Sequence, residues 1–482
     1  MAPSTTSPTG RQIAVIGGGI SGLAAAQRAR ELDPGATVTL WEAGHRLGGV
    51  LKTEIDDDWL LEQSADNFIT DPPAAVELCR RIGFESELLP TDDRHRTAYV
   101  VARGKLQKLP DGFTLLTAAR LRPIVASPIL SWPGKLRLFA EALLPARRDD
   151  ADESFASFGR RRLGREAFER LAQPLVSGIY TADPNKLSMR AALPRFVDME
   201  RRHGSLYRGI RAGKKQSGKD HHHSGARYSL FVAPRRGMQS LVEALAASLP
   251  QQSIHLAQRV ERLERLPTGR WRLAISGGEP QEADAVIVAC ASRHAASLLA
   301  PLDADLAAEL AAIEYAGCVI AQIGYRREQI AHPLDAFGFV VPEIERRPIL
   351  SCSFTSVKFP HRAPAGHVLL RAFLGGACQP HLHELDDDAI RQLALRELAE
   401  LLGARGEPAL FRLVRWRQAM PQYHVGHAER VDRIFARARR LPGLALCGNA
   451  YRGVGVPACI ESGQAAAAVV IGCDTPENAA RI

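Results

Sequence analysis

Residues 11–49, RQIAVIGGGISGLAAAQRARELDPGATVTLWEAGHRLGG, constrain this chain more than any other stretch. IAVI reads as a short buried strand. Gly17, Gly19 and Gly22 give G-x-G-x-x-G, and SGLAAAQRARELD continues as a helix with Ser21 in its first turn. TVTLWE reads as a second strand, closed by Glu42 twenty residues after Gly22. Each part has a physical task. Gly17 permits the tight turn, Gly19 lets backbone approach a pyrophosphate, and Gly22 with Ala26 lets helix and strand pack closely. The phosphates then meet the free N–H groups and positive dipole end of the helix. Glu42 is placed to accept hydrogen bonds from ribose hydroxyls. The glycines alone are weak evidence, but with both strands, the helix and the acid at these spacings they predict a dinucleotide site.

Directly behind Glu42 the chain runs AGHRLGG, so Arg46, Gly48 and Gly49 complete E-x-x-x-R-x-G-G. That extension resembles FAD-binding flavoproteins of the amine oxidase type, in which the Arg and paired glycines meet the pyrophosphate from its other side. A plain NAD dehydrogenase has no need of it, so the expected cofactor is FAD. The far end, LCGNAYRGVGVPACIESGQAAAAVV (446–470), repeats the strand–glycine turn–helix pattern. The resemblance implies that this segment returns to hold the flavin. Gly448 and Asn449 would lie near the pyrophosphate and ribityl chain, and Val454, Gly455 and Val456 would lay backbone against the isoalloxazine ring. The N-terminus of the helix behind them would favour an anionic reduced flavin. The plain alternative is an unrelated helix cap.

At 482 residues the chain exceeds the size at which one core stops growing, so two or more lobes are expected. Its eight cysteines are scattered without a CxxC pair, which argues against a disulfide framework or a zinc site and for a reducing compartment. No metal ligand set is expected. Net charge is +9, much of it in residues 201–227, which hold eight Lys/Arg against one Asp. A solvated loop is the simplest reading of that run, with an anionic membrane surface or acidic partner as the functional one. The triplet His221–His223 has flexible neighbours and is not expected to form a preorganised metal site. The N-terminus lacks the basic and apolar regions of a signal peptide, and no apolar run approaches the roughly 18 residues that span a bilayer. A cytoplasmic location is expected.

Between the ends, residues 72–90 read as helical, 97–110 as a strand hairpin and 111–210 as mostly helical. A turn and helix follow over 233–250. IHLAQRVERLER and GRWRLAIS read as two strands, ADAVIVACA (283–291) as a buried strand, 334–375 as several strands and 384–403 as a helix. The fold class is therefore α/β (α+β overall), with a Rossmann-like FAD-binding domain interrupted by inserted material. The expected boundaries are 11–75, 233–295 and 428–475 for the FAD-binding domain. Residues 76–110 and 296–427 would form a mixed-sheet substrate domain, and 111–225 a helical, membrane-associated one.

Four further blocks carry a more specific resemblance: DESFASFGRRRLGREAFERLAQPLVSGIYTADPNKLSM (152–189), AFGFVVP (336–342), FPHRAPAGHVLLRAFLGG (359–376) and WRQAMPQYHVGH (416–427). Together with the C-terminal YRGVGVPACIESGQAAA, they resemble the oxygen-dependent protoporphyrinogen oxidases over about residues 11–472. The resemblance implies a six-electron aromatisation of a porphyrinogen in haem biosynthesis. The flavin would take a hydride at N5 in each of three rounds and be reoxidised by dioxygen, giving hydrogen peroxide. Such chemistry needs an apolar cavity and a carboxylate anchor more than acid–base side chains. By position, the resemblance places Arg96 at a substrate propionate, for which a guanidinium fork is suited. Val340 and Phe373 would sandwich the macrocycle, with Ser353 at a third, usually aliphatic position, and Gly178 would lie near the reacting edge. Val260 would meet the adenine and Trp416 would lie near the flavin. Ala458 departs from the family, whose members often carry Asp there.

Related enzymes rest the region equivalent to 113–148 on a membrane, and here apolar residues, Phe113, Trp132 and Phe139 alternate with Arg and Lys. Peripheral contact with the inner face of the cell membrane is thus an expectation, beside a plain lobe of buried helices. The expected partners are a porphyrinogen and dioxygen; a homodimer is allowed and no nucleic acid is expected. The main rival substrate is coproporphyrinogen III, whose extra propionates call for more cationic groups. An amine oxidase, a carotenoid desaturase and a non-catalytic FAD- or porphyrin-binding protein are the remaining alternatives.

Overall fold

The computed structural model describes residues 10–217 and 231–473. The first nine residues, His221–His223 and the end of the basic 201–227 run lie outside them.

Five short strands make an all-parallel sheet in the order Ile254–His255, Thr37–Trp41, Gln12–Ile16, Ala285–Val288, Leu444–Leu446. The inner strands Gln12–Ile16 and Ala285–Val288 are nearly all apolar because both their faces are covered; Ala285–Val288 is buried throughout. The first helix, Ile20–Leu32, packs on one face, and the last, Val456–Ile471, packs against that helix. Chain ends more than four hundred residues apart thereby share one layer. The segment expected as a single strand over 254–265 is divided instead. Ala257 turns at φ +54°, so Ile254–His255 joins the parallel sheet while Val260–Arg265 pairs with Trp271–Ile275 in a separate three-stranded one. Trp41 stacks on His255 at 4.0 Å and covers this division.

A second, seven-stranded mixed sheet runs Leu410–Pro421, Tyr315–Arg326, His367–Gly375, Ile349–Phe354, Gly338–Val340, Tyr99–Ala102, Lys105–Lys108. Only the pair Gly338–Val340 and Tyr99–Ala102 is parallel. One face carries Val101, Ala321, Phe339, Cys352 and Ala372 into a core closed by Ile390, Ala394 and Leu398 of the helix Asp387–Leu402. The other face is left for a different use.

Residues 113–217 are mainly helical, with one two-strand turn at Phe113–Thr114 and Thr117–Ala118. Arg162 and Glu141 form a buried ion pair at the centre of this lobe. Glu141 also accepts from Ser205 Oγ (2.7 Å) and Leu206 N (2.9 Å), satisfying free N–H groups at the start of helix Leu206–Ser217. The helix expected over 72–90 stops at Arg81, before Gly83, and the chain then enters the short strand Leu88–Pro90.

Candidate functional site

The turn between Gln12–Ile16 and Ile20–Leu32 sits at the carboxyl end of the parallel sheet, where ligands bind in open α/β folds. Gly19 caps the helix, and a Cβ built there would meet nothing within 4 Å, so the backbone faces an open cradle. Gly22 is the opposite case: its Cβ would lie 1.9 Å from the Gly17 carbonyl oxygen. Glu42, at the end of the second strand, accepts from Gly18 N and Gly44 N, both at 2.7 Å. Gly48 N donates to Gly18 O at 2.7 Å, which draws the Gly48–Gly49 turn over the same cradle. Arg46 is spent locally, donating to Leu47 O and Leu51 O at 3.0 Å and to Gly49 O. Val260 opens its strand beside this loop, two residues after Gln258 N donates to Glu42 O (3.0 Å).

The C-terminal glycines arrive at the same place. Gly448, just past strand Leu444–Leu446, donates to Ser462 Oγ (3.1 Å), and a Cβ on it would likewise enter open space. Asn449 begins the turn that leads through Val454 to Gly455, the N-cap of the last helix, and Val456, its first residue. Ser21, in the first helix, hydrogen-bonds the buried Cys459 thiol of the last, whose ionisation burial pushes up to about 12. Gly17, Gly19, Ser21, Gly22, Glu42, Gly48 and Gly49 therefore gather with Gly448, Asn449, Val454, Gly455 and Val456 around one helix-dipole cradle. These residues fit a dinucleotide bearing a flavin.

The residues expected at the substrate lie on the second sheet's other face, where Val340, Ser351, Ser353 and Phe373 are half-buried. Strand register puts Val100, Val340, Ser351, Phe373 and Ile320 in one cross-strand row, and Gly338, Ser353, Arg371 and Gln322 in the next. Side chains two residues apart on a strand share a face, so both rows point the same way. Helix Gln173–Tyr180 lies across them, and a Cβ on Gly178 would stand 3.9 Å from Val340 Cγ1. Ser351, not Ser353, separates Val340 from Phe373. Sequence reasoning missed it, although period-two alternation from Ser353 was available as a signal.

This face meets the dinucleotide lobe through residues 62–66. Trp416 Nε1 donates to Gln63 O at 2.6 Å, tying the last strand of this sheet to that loop. Arg371 donates to Ser64 O and lies 3.5 Å from Asp66, which Lys358 also approaches at 3.2 Å. Burial pushes the Asp66 carboxyl up, but Lys358 and Arg371 outweigh it and hold the group below the usual range. Glu62, fully buried 3.4 Å from Arg362, is pushed up by the same burial. Ser353 Oγ, Arg371 Nε and Gln322 Oε1 are buried without a protein partner, as groups satisfied by ligand or water are.

Arg96 stands before strand Tyr99–Ala102, largely buried, paired with Asp93 and 3.4 Å from Thr91 O. Its Nε has no partner. Arg94, its neighbour, is exposed and engages Asp92 instead. The arrangement as a whole is an anion-binding cradle beside a sheet face with one mostly apolar row and one polar row. It can hold a planar apolar substrate against a flavin, and it offers little machinery for acid–base chemistry.

Sequence and structure comparisons agree with this geometry. The family model described as flavin containing amine oxidoreductase matches residues 20–471. A coproporphyrinogen III oxidase of Bacillus subtilis is 32% identical over 461 residues, covering 95% of this chain and 97% of that protein. A chloroplastic/mitochondrial protoporphyrinogen oxidase 2 of Arabidopsis thaliana is 28% identical over 495 residues, covering 96% and 94%. A crystal structure from Exiguobacterium sp. 255-15, provisionally assigned as a protoporphyrinogen oxidase, superposes with TM-score 0.85 at 28% identity, over 97% of this chain and 100% of that one.

Proposed function

Since the chain belongs to the flavin containing amine oxidoreductase family and is an FAD-dependent oxidoreductase, we propose that it oxidises a porphyrinogen to a porphyrin in haem biosynthesis. The observation that carries this reading is the face of the seven-stranded sheet turned away from helix Asp387–Leu402. It sets Val340, Ser351 and Phe373 in one row opposite Gly178 and runs into the loop that borders the dinucleotide cradle.

Bound FAD supplies the hydride acceptor, with dioxygen as the regenerating oxidant. The chain's own residues bind, orient and exclude water. Val340 and Phe373 grip the macrocycle by its faces, and Gly178, lacking a side chain, leaves room for the reacting edge. Arg96 releases Asp93, whose carboxylate is largely exposed and weakly held, to take a propionate through its free Nε. The row from Ser353 to Gln322 supplies the remaining polar contacts.

Protoporphyrinogen IX and coproporphyrinogen III share this chemistry. Coproporphyrinogen III oxidases at 32% and 28% identity stand beside protoporphyrinogen oxidases at 28% and 29%, so both substrates stay within the reading. A fluorescence assay for porphyrin formation in air, run with both porphyrinogens, tests the reading. Turnover of either supports it, the ratio of kcat/KM values decides between them, and FAD-loaded protein that oxidises neither refutes it.

Peripheral membrane contact belongs to the same proposal. Among the described residues no helix is long and apolar enough to cross a membrane. Trp132, Leu136 and Leu143 are nonetheless 62%, 65% and 81% exposed in one short stretch, and the exposed Arg122 lies ten residues before it. An apolar cavity of about 140 Å³ opens among Leu116, Leu121, Leu138, Phe139 and Leu206 of the same lobe. Shallow insertion beside anionic headgroups suits such a surface and a poorly soluble substrate.

A further inference from the structure

The segment PQYHVGH ends the last strand of the substrate sheet and turns back toward the dinucleotide lobe. Tyr423 within it is 1% exposed. Its hydroxyl donates to Asn449 O at 2.6 Å and accepts from Gly453 N at 2.9 Å. One phenol oxygen thus bridges both ends of the five-residue turn NAYRG. Beneath it, His427 stacks on the Tyr423 ring, with centroids 4.1 Å apart and planes 13° apart. His427 Nε2 lies 2.9 Å from the carbonyl oxygen of Tyr451 at the middle of that turn. Burial lowers its ionisation to about 4, so the ring is neutral, and a carbonyl partner requires the proton on Nε2. The two side chains together hold three of the turn's five residues by their backbone.

That turn leads directly into Val454, Gly455 and Val456, the backbone read as facing the flavin ring. We propose that Tyr423 is a positioning residue for the flavin, its hydroxyl stapling Asn449 to Gly453 and so fixing the backbone that enters the last helix. A turn of this length with no such staple would sample several conformations, and aligning N–H groups with a bound ring would cost entropy at each binding event. The staple is also tied to the helical lobe. Ser188 N donates to Tyr423 O at 2.7 Å, and Leu187 bridges to His424, so strain from the substrate-side helices reaches the turn through the same residue. The inference rests on the flavin reading of the cradle and not on the identity of the porphyrinogen.

Tyr423→Phe keeps the ring and its stacking while deleting both hydrogen bonds. Deflavinated protein titrated with FAD should show a Kd raised about tenfold, equivalent to ~1.4 kcal/mol. The reconstituted enzyme should show a shifted flavin absorption spectrum and midpoint potential, with kcat lowered and KM for the porphyrinogen unchanged. His427→Gln, which can still reach Tyr451 O but cannot stack, should fall between wild type and Tyr423→Phe on each readout. Wild-type FAD affinity, spectrum and potential in Tyr423→Phe would overturn the proposal. If Tyr423→Phe fails to fold, His427→Gln decides alone: a raised Kd with a shifted potential supports the staple, and unchanged values remove it. Failure of wild type to oxidise any porphyrinogen would leave these flavin measurements intact and count only against the substrate reading.

Discussion

Gly463 in the last helix lies directly on the backbone of Ser21 in the first: a Cβ on Gly463 would stand 2.1 Å from the Ser21 carbonyl oxygen. The two helices that frame the cradle touch backbone to backbone, and the contact fixes where the distant glycine turn sits. Gly463→Ala should force them apart, lowering apoprotein stability by about 1–3 kcal/mol, the usual cost of overpacking. Urea melts of the apoprotein measure it directly, and an unchanged midpoint would mean that the interface relaxes freely.

Gly19 should behave in the reverse way. Its Cβ would enter open space, so Gly19→Ala should leave the apoprotein melt within about 0.5 kcal/mol of wild type, as for a substitution that meets no neighbour. FAD affinity should nevertheless fall at least tenfold, because the methyl occupies the approach to the pyrophosphate. Gly22→Ala, whose Cβ would lie 1.9 Å from Gly17 O, should lose both together. Melts and FAD titrations of the two variants separate a binding glycine from a packing glycine.

This contrast marks what could be read from the chain. Gly17, Gly19, Gly22 and Glu42 fall within thirty residues, where helix and strand geometry fixes relative position and spacing carries the argument. The return of Gly448–Val456 to the same cradle follows from family resemblance, since no local rule links residues four hundred apart. Ser351 was hidden because its neighbour Ser353 fitted a motif, while its true partners, Val340 and Phe373, are set by cross-strand register. Trp416 reaches Gln63 for the same reason: pairing with Cys318 aims it, and pairing is not local. The split at Ala257 escaped because a positive-φ turn at a non-glycine residue leaves no mark in composition.

His427 sets an acid limb on stability. An unfolded His titrates near 6.5, and this one titrates at about 4 in the fold because burial disfavours the cation. Between those values the unfolded chain binds the proton that the folded one refuses, so stability is fully present above pH 6.5 and is lost as pH falls toward 4. The loss attributable to this residue is about 3 kcal/mol. Urea melts from pH 7 to 4 should therefore show a shallower decline in His427→Gln than in wild type. Parallel declines would place the ionisable group elsewhere.

The exposed apolar residues of the helical lobe predict a lipid-dependent property. Wild-type protein should float with vesicles containing phosphatidylglycerol, less so with neutral vesicles, because cationic neighbours add attraction to an anionic surface. A Trp132→Ser, Leu136→Ser, Leu143→Ser triple variant should lose most of this binding with little change in melting, since surface substitutions of this kind usually cost under about 0.5 kcal/mol each. Equal flotation of both proteins would dissociate these residues from any membrane role.

Arg96 offers the sharpest separation of substrate binding from cofactor binding. Its guanidinium is largely buried and its charged partner among the described residues, Asp93, is exposed, so the pair exchanges readily for an incoming carboxylate. Arg96→Ala should raise KM about tenfold or more, the scale of a lost charge-assisted hydrogen bond worth ~1.5–3 kcal/mol, while FAD content stays at the wild-type level. Arg96→Lys should not restore KM, because an ammonium cannot present two parallel N–H groups to a planar carboxylate. Steady-state kinetics with each porphyrinogen checks both statements. A KM unmoved by either substitution would assign Arg96 to the Asp93 pair alone, and the propionate anchor would then have to come from the Ser353–Arg371–Gln322 row.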